Sequence, residues 1–174
     1  MSSTKQRIQQ AARELFARQG VQKTSLQEIA DALGITKPAL YYHFTSREDL
    51  VRSIVLPIVE NGASLLTRLE AGGPVPPEEL LGAFFDFNYA HREDTAMLLG
   101  ELSTLTELGL IDLVIQWRER LGALLLGPEP TLAQQARAVM ALGGIQDITV
   151  QFAHIPAEEL RPLAVEAALA ALGL

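Results

Sequence analysis

The sequence predicts an all-α protein: a three-helix N-terminal head, with a helix-turn-helix in it, joined by a long fourth helix to a helical C-terminal body. Three observations predict it. Apolar residues recur at helical spacing, and no alternating β-branched run interrupts them. Four capping residues, Ser3, Ser25, Thr36 and Ser46, punctuate the first fifty positions. The charge is also divided. Residues 1–52 carry eight basic and five acidic side chains, a net of +3, in a chain of 174 residues with a formal net charge of -7. The remainder therefore carries -10, so a small basic head sits on an acidic body. The boundary is expected at 47/48, giving a head of 1–47 and a body of 48–174.

The first helix starts near Ser3, with Gln6 three residues on to complete a capping box. Ile8, Ala11, Ala12, Leu15 and Phe16 form its apolar stripe, and Gly20 ends it. Ser25 and Glu28 repeat the box for a second helix, whose Leu26, Ile29, Ala30 and Leu33 share one face up to Gly34. Thr36 caps a third helix with Pro38 in its first turn, where a missing N–H costs little. That helix runs to Phe44. Ser46 starts the fourth, with Glu48 and Asp49 suited to the helix dipole and Pro57 expected to kink it. "AGGPVPPEE" (71–79) is a loop, and further helices are expected at about 78–90, 92–103, 107–126, 131–154 and 157–172.

Other function classes find little support. The chain has no cysteine, which excludes disulfides and thiolate metal sites. His91 and His154 stand alone, so no metal and no cofactor are expected. There is no nucleophile elbow, and the glycines of "GGPVPPEE" lack the Lys and Ser/Thr of a phosphate loop, so no enzyme is expected. The N-terminus has no apolar signal region and no apolar run approaches ~18 residues. A cytoplasmic protein without a membrane partner is expected.

The helix-turn-helix carries the chemistry. Its second helix holds Tyr41, Tyr42 and His43 side by side, about 100° apart around the axis, so they fan out as a helix in a DNA groove requires. Thr24, Ser25, Thr36, Lys37, Tyr41, Tyr42, His43 and Arg47 are all donors suited to phosphate oxygens. Lys37, Pro38 and Ala39 open the reading helix. Double-stranded DNA is the expected partner.

"AARELFARQGVQKTSLQEIADALGITKPALYYHFTSREDL" resembles the DNA-binding head of the TetR family of bacterial transcriptional regulators. The shared features are the "A..LF...G" first helix, "TSLQEIA" with a glycine turn, "LYYHF" and "SREDL". They cover under a third of the chain. Pro38 departs from the pattern, since small residues such as glycine are frequent there, and it removes one N–H from phosphate contact. The resemblance implies a homodimeric repressor on a palindromic operator, with a four-helix interface and release by a small effector. The alternative is the same fold controlled by a protein partner, or by no ligand.

In the body, Phe84, Asn88, Tyr89, Met97, Glu101 and Trp117 mix rings with polar groups. The mixture suits a ligand pocket and equally an ordinary core. Glu101 and Asp86 favour a cationic or neutral apolar ligand there. Val139, Gly143, Gly144, Val150, Ala167 and Ala171 lie in the small-residue and apolar segments expected to form the dimer interface.

Overall fold

The computed structural model describes residues 3–99 and 106–174, of 97–99 the backbone alone. Among the described residues there is no strand and there are nine helices: α1 Thr4–Gln19, α2 Leu26–Leu33, α3 Lys37–His43, α4 Arg47–Ala71, α5 Pro77–Ala90, α6 Arg92–Leu99, α7 Ile111–Leu126, α8 Leu132–Gln151 and α9 Ala157–Leu172.

The boundaries follow local chemistry. Ser3, Ser25 and Thr131 each cap a helix with a complete capping box. Gly34 closes α2 in the left-handed region at φ 63°, which glycine adopts without steric cost. Two expectations shift. The helix expected from about 107 starts at Ile111, because Gly109 takes φ 66° and its N–H bonds to Thr106 in a turn. The helix expected to reach 154 ends at Gln151. The N–H of Ile155 returns to the Phe152 carbonyl, and Pro156 caps the next helix.

Packing divides the chain into two compact units, Met1–Val59 with Ala96–Asp112, and Glu60–Thr95 with Leu113–Leu174. The core of the first gathers Ile8, Phe16, Ile29, Leu40, Phe44, Leu50 and Ile54. Leu108 and Leu110, remote in sequence, complete it, and Arg52 Nη2 donates to the Leu108 carbonyl at 2.6 Å. The core of the second is built from α5, α8 and α9 around Leu81, Phe85, Leu142, Ile145 and Val165. Each large apolar side chain so buried contributes about 1.5–3 kcal/mol.

The sequence shows no uninterrupted apolar run of membrane length, yet α4 is long and apolar enough to cross a membrane by length and composition alone. Its Leu50, Val51, Ile54, Val55 and Leu66 are buried in protein, as in a core helix.

Candidate nucleic-acid interface

The motif is held by a tight turn. The N–H groups of Gly34 and Ile35 return to the carbonyls of Asp31 and Ala30 at 3.1 and 3.0 Å. Ala30 and Leu40 are fully buried. In α3 only Leu40 enters the core, while Lys37, Pro38, Ala39, Tyr41 and Tyr42 are exposed and His43 is half-buried. The Thr36 hydroxyl accepts from the Ala39 N–H at 3.4 Å, so its own proton stays available to donate. Lys37 Nζ lies 5.7 Å from the centre of the Tyr41 ring, and Tyr42 meets His43 edge-on at 5.2 Å. Tyr42 is 86% exposed. A ring carried that far out on a seven-residue helix contributes nothing to the core.

Five of the singled-out residues, Thr24, Ser25, Lys37, Tyr41 and Arg47, line one open concavity of about 340 Å³. Three of them, Thr24, Ser25 and Arg47, make hydrogen bonds within the protein. Thr24 is buried, and its hydroxyl donates to the Gly20 carbonyl at 2.8 Å, so it is a strut. Ser25 is exposed but occupied. Its N–H and hydroxyl donate to Glu28 Oε2 at 2.7 and 2.8 Å, and its oxygen accepts from the Glu28 N–H. The N–H and hydroxyl of Ser25, and then Gln19, hold the Glu28 carboxyl below its ordinary range. Arg47 donates to the carbonyl and side chain of Gln22 at 2.9 and 3.0 Å, tying α4 to the loop after α1. Sequence reading missed Thr45, Ser46 and Glu48 in the same concavity. Ser46 was legible as a cap, but nothing local placed it beside Tyr41.

In the second unit the expected ligand contacts are largely internal. Phe84 is buried, its ring 5.5 Å from Trp117. Asn88 is buried and donates to the Phe84 carbonyl, while the Tyr89 hydroxyl donates to the Ile155 carbonyl, both at 2.8 Å. The Asn88 amide and the Tyr89 hydroxyl therefore each donate to a carbonyl of this chain. Trp117 Nε1 is buried with no hydrogen-bond partner. The Met97 side chain and Glu101 lie outside the described residues. Among the described residues no group of three His, Asp or Glu could hold a metal ion.

Of the expected interface residues, Val139 and Ala167 are exposed, and Gly143, Gly144, Val150 and Ala171 are half-buried. A Cβ on Gly143 or Gly144 would meet nothing within 4 Å in this chain. Met140, Leu132 and Leu163 are exposed beside them on α8 and α9.

Residues 8–54 match the family of bacterial regulatory proteins described as the tetR family. The head belongs to the tetR family. The match runs from the second turn of α1 to the second turn of α4, so the concavity and the exposed rings lie inside the tetR head. The chain is 34% identical over 106 residues to an uncharacterized HTH-type transcriptional regulator, YerO, of Bacillus subtilis strain 168, covering 58% of this chain and 37% of that protein. It is 49% identical over 51 residues to the HTH-type transcriptional regulator AcrR of Shigella flexneri, covering 29% of this chain and 24% of that protein. The chain thus spans between 24% and 37% of the length of these curated relatives. Among solved structures it resembles a TerR/AcrR-family transcriptional regulator from Aquifex aeolicus VF5, with TM-score 0.73 and 25% identity, over 95% of this chain and 97% of that one. Mycobacterium smegmatis AmtR shares the fold at TM-score 0.78 and 22% identity, over 99% of this chain and 87% of the other.

Proposed function

We propose that this tetR-family chain is a DNA-binding transcriptional regulator and not an enzyme: a cytoplasmic homodimer that represses by holding a palindromic operator until a small effector releases it. The observation that carries the reading is α3. It buries Leu40 alone and exposes Lys37, Tyr41 and Tyr42 from a tetR head of net positive charge. Lys37 and Ala39 read base edges, and Tyr42 and His43 hold phosphates of the groove walls. Residues 1–47 do the reading, and residues 48–174 serve dimerisation and control.

Gly143 and Gly144 support the dimer. Each costs about 1 kcal/mol in a helix relative to alanine, and no neighbour in this chain requires either. A second copy of α8 and α9 at close approach supplies the reason, covering Val139, Met140 and Leu163. Control runs through α4, which continues from the head past Pro57, where bending is cheap. The internal bonds of Asn88 and Tyr89 also favour a second reading, in which a protein partner or no ligand controls the same regulator.

The test is selection of duplex DNA from a random pool, followed by binding at several salt concentrations. A palindromic product bound by two chains, with a log–log salt slope of about -0.9 per phosphate contact, is expected. Full affinity in a variant with Lys37, Tyr41 and Tyr42 all changed to alanine overturns the reading.

A further inference from the structure

An open groove of about 460 Å³ runs between α4 and α5. It adjoins the Phe84–Trp117 packing through Phe87, and the function proposed above makes no use of it. Its floor is apolar, formed by Leu65, Ala83 and the half-buried Phe87. Its rim is unevenly charged. Arg68 lies on it and has no ion-pair partner among the described residues. Asp86, the one acid on the rim, accepts from Arg161 Nε at 2.9 Å and so has a second cation beside it. The groove therefore presents a surplus positive charge although the body as a whole is acidic. The expectation of a cationic or neutral ligand rested on Glu101, which lies outside the described residues, and on Asp86, which is paired here.

The order of residues along the groove gives a shape. Arg68 and Asn61 are seven residues apart on α4, two helical turns or roughly 10 Å. Phe87, on α5, has its ring tip 3.3 Å from where a Cβ on Gly62 would stand, with the His91 ring 4.9 Å and the Trp117 ring 5.3 Å from it. From these placements we infer that the α4–α5 groove binds a slender aromatic monocarboxylate. The carboxylate pairs with the Arg68 guanidinium, the ring lies on Phe87 and Leu65, and a polar group at the far end meets Asn61 and His91. Arg68 supplies a charge-matched fork, and Phe87 supplies the flat apolar face.

The probe is 3-(4-hydroxyphenyl)propionate, compared with its primary amide and with 3-(4-hydroxyphenyl)propylamine. Binding is followed by calorimetry and by the indole N–H resonance, a single signal because the chain has one tryptophan. One acid per chain is expected to bind, with the indole signal shifting because Trp117 backs Phe87. The amide should bind at least roughly tenfold more weakly and the amine not at all, since a charge-assisted pair is lost or becomes repulsive. Arg68→Met should lose the same tenfold or more. Arg120→Met, which breaks the pair with Glu70 outside the groove, should not. Amine binding as tight as acid binding, an unchanged Arg68→Met variant, or no saturation by about 10 mM acid overturns the inference. Duplex DNA binding is measured on the same samples. A chain that binds DNA but not the acid refutes the groove alone, and one that binds the acid but no DNA refutes the regulator alone.

Discussion

Thr24 and Ser25 carry the same hydroxyl group and differ in fate. Thr24 turns inward to the Gly20 carbonyl, while Ser25 stays out and closes a capping box with Glu28. Replacing Thr24 with valine should therefore cost about 1 kcal/mol of stability in urea unfolding, with DNA affinity unchanged at a pH and salt where the head is folded. The box also titrates. The folded Glu28 carboxyl lies below the unfolded value of 4.5, so its contribution is full above that value and is lost as pH falls through the folded one. Melting temperature should drop on acidification below about pH 4.5, and Glu28→Gln should remove part of that drop. Identity and spacing made the box legible. The inward turn of Thr24 was not, because nothing in "KTSLQ" says which hydroxyl faces the core.

At the scale of elements, the caps of α1, α2 and α3 could be read directly, since each depends on residues three apart. The segment before α7 could not. "TELGLID" reads as the start of a helix, yet Gly109 turns it, and Leu108 and Leu110 enter a core made mostly by residues 8–55. No periodicity within seven residues reports a contact fifty positions away. Leu110→Ala should cost about 2–5 kcal/mol, read as a lower urea midpoint and as faster amide exchange in α1 and α4. The partners of the polar residues of α5 were hidden for a related reason. Asn88 bonds four residues back and Tyr89 reaches Ile155, and sequence spacing identifies neither acceptor.

For the whole molecule, the proposed dimer makes the glycines of α8 the sensitive positions. The Cβ of Gly144→Leu meets nothing within 4 Å in one chain, and the monomer should fold with its circular dichroism unchanged. The same change should overpack a helix of a second copy, by about 1–3 kcal/mol per contact, and light scattering should show more monomer. Equal dimerisation by this variant and the parent would show that the second copy docks elsewhere. The two leucines of the 106–112 segment carry a consequence for engineering. Reader heads are attractive as interchangeable modules, to be cut at a helix and grafted onto another sensor. Here a cut anywhere in α4 leaves Leu108 and Leu110 behind with the discarded part, together with the carbonyl that receives Arg52. A graft of residues 1–59 alone would inherit the letters of the reader with a hole in its floor. A working chimera has to bring a matching pair of apolar side chains from its new host.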